Sequence, residues 1–189
     1  MIMGVTGYAT SGKSEVARIL HELYGFNVVS FADKLRSMAI AIDPYICIEE
    51  PSAHGTDGKF MRYSEVLKEH GYITAKKFPD FRRFLQRLGT EGVRDHIGHN
   101  AWVDALMSDI DRSFDNFAIP DVRFPNEAGA IRRRNGKIWK VVRPGISVDN
   151  GHESEQYVES MDCEATIMNN STLEHLEAEV KNIMEGSPR

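Results

Sequence analysis

Cysteine is nearly absent from this chain. Cys47 and Cys163 are the only two, far apart in the sequence, with no second Cys or His at metal-ligand spacing. That excludes a disulfide scaffold and a zinc site, and leaves two reduced thiols as the expected state. Long apolar runs are missing as well. None approaches the roughly 20 residues that a membrane-spanning helix needs, so no membrane partner is expected. There is no internal repeat and no low-complexity tract that would point to a solenoid or a disordered linker. Nor is there a surplus of basic residues: Lys and Arg number 23 against 28 Asp and Glu, a formal net charge of -5. That balance argues against a stable, overall electrostatic grip on nucleic acid. A basic n-region and an apolar h-region have no room ahead of the glycine-rich loop that starts at residue 7, so a cytoplasmic location is expected.

What remains is an ordinary globular composition with one strong motif. At 189 residues, with 41% hydrophobic and 27% charged residues, the chain has enough apolar material for one substantial core and is short for two independent domains. A single domain over residues 1–189, with insertions, is expected. Gly7-Tyr8-Ala9-Thr10-Ser11-Gly12-Lys13-Ser14 matches the phosphate-binding pattern G-x-x-x-x-G-K-S/T at every fixed position. The chemistry needs those residue types. Glycines let the backbone curl until its N–H groups face phosphate oxygens, Lys13 reaches the outer phosphates, and the Ser14 hydroxyl can ligate Mg²⁺. The flanks fit as well: Ile2 to Val5 read as a buried strand, and Val16, Ala17, Ile19, Leu20 and Leu23 fall at helical spacing after Lys13. The donor nucleotide is therefore expected on Gly7, Ala9, Thr10, Ser11, Gly12, Lys13, Ser14 and Glu15, with ATP and Mg²⁺ as the implied cofactors.

Further along, Gly25 is a natural helix stop, Val28 to Phe31 read as a second buried strand, and a helix begins near Ala32. Pro44, Pro51, Gly55 and Gly58 break any regular period, which predicts a loop or mobile flap over Pro44 to Gly58. A short helix is expected from Tyr63 to His70, stopped by Gly71. A stronger one opens at Pro79, with Phe81, Phe84, Leu85 and Leu88 on its core face, and breaks or kinks at Gly89-Thr90. Asn100 is a good cap for a helix carrying Trp102, Val103, Leu106, Met107 and Ile110. Phe117 to Val122 read as a third strand that Pro120 must end, Asn126 to Arg134 as a helix, Ile138 to Val142 and Ala165 to Met168 as further strands, with a last helix from about Thr172. The acidic stretch from Asp149 to Glu164 reads as a solvated surface helix. Strands alternating with helices imply an α/β fold with a parallel, doubly wound sheet, whose ligands gather at the carboxyl ends of the strands.

A phosphate loop does not separate kinases from motors or switches, so the partner groups must discriminate. Lys76, Lys77, Arg82, Arg83 and Arg87 crowd residues 76–87 against one acid, Asp80, and Arg132, Arg133, Arg134, Lys137, Lys140 and Arg143 crowd residues 131–143 against none. Arg82 and Arg83, with Gln86, suit an anionic acceptor, because guanidinium groups fork onto phosphate oxygens. Asp121, at a strand end, is the candidate to hold Mg²⁺ directly or through water; a turn cap is its structural alternative. Asp33 follows the second strand and has two readings. For a hydroxyl acceptor it would act as general base; for a phosphate acceptor, already anionic, it would only position groups. Arg123, Arg132, Arg133, Arg134 and Arg143 compete to reach the donor; Arg143 follows a strand.

The segments GYATSGKS (7–14), SFADKLR (30–36), FRRFLQRLGTEGVRD (81–95), NAWVDAL (100–106), PDVRFPNEA (120–128) and VVRPG (141–145) carry a resemblance over nearly the whole chain. It resembles the phage-type deoxynucleoside monophosphate kinases, whose members are similar to adenylate kinases in fold. The resemblance implies a three-layer P-loop kinase with a five-stranded parallel sheet and a helical, monophosphate-binding insertion at about 44–100. It also implies that Arg82, Arg83, Gln86, Gly89, Thr90, Trp102 and Asp121 bind the deoxynucleoside monophosphate, beside Asp33, and that the loop at Arg143 lies by the donor base. Small-molecule nucleotides would be the partners, with a homodimer compatible, and the host cytoplasm the location of a phage-encoded member. Two other readings stay open: a hydroxyl-phosphorylating relative such as a dephospho-coenzyme A kinase, and a non-kinase nucleotide-binding ATPase module.

Overall fold

The computed structural model describes residues 1–51, 57–146 and 153–186. The chain divides into two compact units: Met1–Phe31 with Leu106–Arg189, and Ala32–Ala105. Seven strands are described: β1 (Ile2–Thr6), β2 (Asn27–Val28), β3 (Tyr45–Glu49), β4 (Lys59–Arg62), β5 (Phe117–Ile119), β6 (Lys137–Val142) and β7 (Ala165–Met168). The helices are α1 (Lys13–Tyr24), α2 (Ala32–Ile42), α3 (Tyr63–Ala75), α4 (Pro79–Gln86), α5 (Ala101–Ile110), α6 (Pro125–Arg132), α7 (Glu153–Ser160) and α8 (Leu173–Gly186), with a π-helix over Arg87–Arg94.

The first unit holds the five-stranded parallel sheet that the alternating pattern predicts, in the order β2-β5-β1-β6-β7. β1 is its centre and is buried along its whole length, which is why its sequence is continuously apolar rather than alternating. Met3 and Val5 point to one face, where Trp139 and Val141 of β6 join them against Val16 and Leu20 of α1 and Leu176 and Val180 of α8. Gly4 points to the other face. A Cβ there would stand 2.6 Å from Ile138, 2.8 Å from Ile131 of α6 and 2.9 Å from Val122, so helix α6 packs against bare backbone. Helices on both faces make the three layers. α1 ends on Gly25, whose left-handed conformation (φ 69°) lets its N–H reach His21 O while Phe26 N–H reaches Leu20 O.

Two strands are shorter than their sequence implies. β2 is only Asn27–Val28, and both residues are exposed, instead of a buried strand reaching Phe31. It lies at the sheet edge, where one side of the strand has no neighbour to cover it. β5 stops at Ile119, because Pro120 has no N–H to continue the ladder. The acidic region forms α7 from Glu153; Asp149 lies outside the described residues.

The second unit has a core of its own around Ile46, Tyr63, Val66, Phe81 and Leu85. Tyr63 stacks on Phe81 with ring centroids 4.6 Å apart and planes at 7°. Where a loop or flap is expected, β3 and β4 pair as an antiparallel ribbon, with Ile46 opposite Met61. Pro44 and Gly58 punctuate the ends of that ribbon rather than breaking it: the Pro44 carbonyl accepts the Tyr63 N–H at 2.9 Å, and Gly58 precedes β4. Residues 52–56 of the expected flap lie outside the described residues. α3 is two helical stretches on either side of Gly71, whose non-helical backbone (φ 69°, ψ 161°) stops the first after His70, as expected, before the second runs on to Ala75.

The expected break at Gly89-Thr90 is a π-helix instead. The Asp95 N–H bonds Thr90 O, five residues back, at 3.0 Å. The Trp102 indole Nε1–H donates to Gly89 O at 2.9 Å. A Cβ on Gly89 would meet Leu35 of α2 at 3.2 Å, so the glycine allows a tight approach of the π-helix to α2.

Candidate active site

The phosphate loop leaves the carboxyl end of β1 and turns into α1. Three of its residues hold left-handed backbone: Gly7 (φ 146°), Thr10 (φ 61°) and Gly12 (φ 109°). At Gly7 the requirement is also steric, since a Cβ would sit 2.5 Å from the Val141 carbonyl oxygen of β6. The Lys13 ammonium donates to the carbonyls of Gly7 (2.8 Å) and Tyr8 (2.6 Å), which holds the cation across the loop. Ser14 is exposed at the start of α1. The Thr6 and Ser11 hydroxyls are buried with no hydrogen-bond partner among the described residues, and so add unsatisfied donors at the loop. The Tyr8 hydroxyl donates to Glu159 of α7 at 2.7 Å. Ala9 and Thr10 are exposed at the loop tip.

Glu15 stands apart from the rest. Its carboxylate accepts from Arg18 Nε at 2.9 Å and its amide donates to Gly12 O at 3.0 Å.

Asp121 follows β5, the strand next to β1, on the edge where the phosphate loop lies. Its Oδ2 accepts the Ser30 hydroxyl at 2.6 Å and its Oδ1 the Phe31 N–H at 3.3 Å. The carboxylate therefore caps the turn after β2, and each oxygen keeps a further lone pair for a metal-bound water. Among the described residues no cluster of three or more His, Cys, Asp or Glu could hold a metal. An isolated hydroxyl and one carboxylate, with phosphates and water completing the shell, is the donor set that suits Mg²⁺.

Sheet register sorts the five competing arginines. β6 starts beside Met3 and runs parallel to β1, so the residues just before it lie at the amino edge of the sheet, opposite the phosphate loop. Arg132 and Arg134 are there and are already engaged. Arg132 Nε reaches Glu164 at 3.2 Å, and a second donor of the same guanidinium meets the Asp162 carbonyl; Arg134 forks onto Asp111 with two bonds of 2.7 Å. The Arg134 hydrogen bonds hold the Asp111 carboxyl below its ordinary range. Arg133 is exposed on the same edge. Arg132, Arg133 and Arg134 therefore lie on the edge of the sheet away from the phosphate loop. Arg123 and Arg143, after β5 and β6, are exposed on the carboxyl edge with the loop.

The second unit carries the other candidates. On α4, Arg82 and Gln86 share one helical row, flanking the core face of Phe81 and Leu85, while Arg83 shares another with Arg87 at the start of the π-helix. All four are exposed. Arg83 pairs with Asp80 at 2.6 Å, and the other oxygen of Asp80 accepts the Cys47 N–H of β3 at 2.9 Å. A cleft of about 540 Å³ opens on that second row, lined by Tyr45, Asp80, Arg83, Arg87, Glu91 and His96 among others, and Arg82, Gln86, Gly89, Thr90 and Trp102 are not part of it. Arg82 and Arg83 thus stand on adjacent rows, about 100° apart around the helix axis. Thr90 is exposed on the π-helix, whereas Gly89 is buried. Trp102 is buried at 6% exposure with its indole N–H on Gly89 O, which makes it a support of the π-helix rather than an open platform for a base. Asp33 accepts from Arg36 at 2.6 Å. Burial works against the Arg36 cation, but Tyr72 and Asp33 outweigh it and keep the guanidinium firmly charged.

Patterning does not single out Asn169. It follows β7 on the carboxyl edge, and its side-chain Nδ2 donates to Ser11 O of the loop at 2.8 Å. Its only sequence signal is its place one residue after a parallel strand.

A parallel sheet with helices on both faces and a lysine-bearing phosphate loop at its carboxyl edge is the arrangement that P-loop kinases share. Residues 48–180 match the family model described as deoxynucleotide monophosphate kinase, and the chain belongs to that family. It is an ATP-dependent phosphotransferase. The phosphate loop lies ahead of the matched span and stands as separate support. A protein of Acanthamoeba polyphaga mimivirus assigned the same activity is 26% identical over 202 residues, covering 99% of this chain and 97% of the viral protein. The deoxynucleotide monophosphate kinase of Enterobacteria phage T4 is 29% identical over 108 residues, 55% of this chain and 45% of its own length. Among solved structures, a dephospho-CoA kinase from Campylobacter jejuni superposes with a TM-score of 0.53 over 98% of this chain and 96% of its own, at 13% identity, a likeness of fold.

Proposed function

We propose that this protein moves the terminal phosphoryl group of ATP onto a deoxynucleoside 5′-monophosphate. An oxygen of the acceptor phosphate attacks the γ-phosphorus, the bond to the bridging oxygen breaks, and ADP leaves as the acceptor becomes a diphosphate. The observation that carries this reading is the phosphate loop, with three left-handed residues and Lys13 already held across it, in a chain of this family.

Its own residues divide the work. Lys13 and the loop amides hold the donor phosphates, and Arg82 on the Gln86 row takes the acceptor phosphate. Mg²⁺, held by Ser14 with Asp121 behind its waters, would neutralise charge on the donor phosphates. Asp33 positions Arg36 and needs no basic role, because a phosphate acceptor brings its own anionic nucleophile. Arg143, on the loop after β6, serves the donor base. No helix among the described residues is long and apolar enough to cross a membrane, and soluble nucleotides in the cytoplasm are the substrates this reading requires.

Incubation with ATP, Mg²⁺ and a panel of deoxy- and ribonucleoside monophosphates should yield diphosphates from the deoxy set, and Lys13→Ala should abolish turnover while the fold survives. Turnover of none of the panel overturns the reading. An Asp33→Asn variant that keeps most of its activity supports a phosphate acceptor, whereas a loss of about 100-fold or more points to a hydroxyl acceptor instead.

A further inference from the structure

The phosphate loop is braced from outside its own motif. Asn169 is fixed by its backbone, whose N–H donates to Val142 O at 2.8 Å and carries the β6–β7 pairing one residue beyond Met168. Its side chain then turns onto the loop, with Nδ2 donating to Ser11 O at 2.8 Å. The fit is close. A Cβ on Gly12 would lie 2.4 Å from that nitrogen and would have to displace the Asn169 amide, while the φ of 109° is what calls for glycine.

The consequence follows from peptide geometry. A trans peptide carries its C=O and N–H on opposite sides, and the described chain contains no cis bond. Pinning the Ser11 carbonyl toward Asn169 therefore turns the Gly12 N–H the other way, away from β7. In a loop of this type the backbone N–H groups are the phosphate ligands. We propose that Asn169 is a positioning residue of the donor site: by holding the Ser11 carbonyl it aims the Gly12 amide at the phosphate oxygens of ATP. Only a side-chain donor can do this. An aspartate of the same shape would set a carboxylate oxygen against the carbonyl. The inference rests on the reading of Gly7–Ser14 as the ATP site.

The test is calorimetric titration of the full chain with the non-hydrolysable analogue AMP-PNP and Mg²⁺, alongside steady-state kinetics. Asn169→Ala should weaken AMP-PNP about 10-fold, the size of one lost hydrogen bond, with the acceptor KM unchanged. Asn169→Asp should weaken it further. Binding by both variants within about twofold of the parent, while Lys13→Ala loses it, overturns the role of Asn169 and leaves the ATP site standing. Equal damage to donor and acceptor affinity overturns it too, because that is what general loosening does. If the parent itself fails to bind AMP-PNP, or Lys13→Ala binds normally, the ATP site falls and the inference with it. Should Asn169→Ala melt below the assay temperature, Asn169→Ser, whose hydroxyl is too short for Ser11 O, reads the same outcomes.

Discussion

Arg82 and Arg83 are adjacent in sequence and far apart in circumstance. Each residue of a helix turns about 100°, so side by side in the chain means different directions in space. Arg83 gives one guanidinium donor to Asp80, which in turn holds the Cys47 amide. Arg82 shares its row with Gln86 and has no hydrogen bond to a carboxylate among the described residues. Arg82→Ala should raise the acceptor KM by about 10-fold or more, the loss expected of a charge-assisted bond to phosphate. Arg83→Ala should raise it by no more than about threefold, with the difference appearing in thermal stability, since an exposed pair is worth about 1 kcal/mol or less. The reverse order, read from KM values for acceptor and ATP side by side, would reassign the clamp to Arg83.

At the scale of the element, the π-helix over Arg87–Arg94 is the feature most directly tied to one side chain. Trp102→Phe keeps an aromatic ring in the buried site and removes only the donor to Gly89 O. It should lower stability by about 1 kcal/mol and raise the acceptor KM while the ATP KM stays put. An unchanged acceptor KM would make the indole bond purely structural. The same element shows where sequence stops being legible. Gly89-Thr90 announces a disturbance, but whether a helix breaks, kinks or widens depends on Leu35 pressing from α2 and on an indole 13 residues downstream, neither of which has a local signature. Likewise, Pro44 and Gly58 look like breakers until the cross-strand pairing of Ile46 with Met61 is known. Local patterns did reveal β1, α1, the apolar face of α4 and β6, because a run of buried residues or a 3.6-residue period suffices for them. Motif residues were legible for the loop itself. The brace at Asn169, the ion pair that occupies Glu15 and the wrong-edge placement of Arg132 to Arg134 were not, since each depends on which strands lie side by side.

For the whole molecule, the two units carry separate cores and separate halves of the proposed chemistry: the phosphate loop and Asp121 in one, and Asp33, Arg82, Gln86 and the π-helix in the other. Ligand-dependent hydrogen exchange should reflect that division. AMP-PNP should slow exchange of amides in Gly7–Val16, and the preferred monophosphate should slow those of α4 and the π-helix. Protection of the same unit by both ligands would contradict the division. The sheet order has a further consequence for how the protein fails. Local openings begin where contacts are fewest, and the exposed two-residue β2 is such a place, whereas β1 has a paired strand on each side. A molecule warmed toward its melting point should therefore fray from that margin inward and surrender its phosphate cradle last, so that nucleotide affinity outlives the first spectroscopic signs of melting.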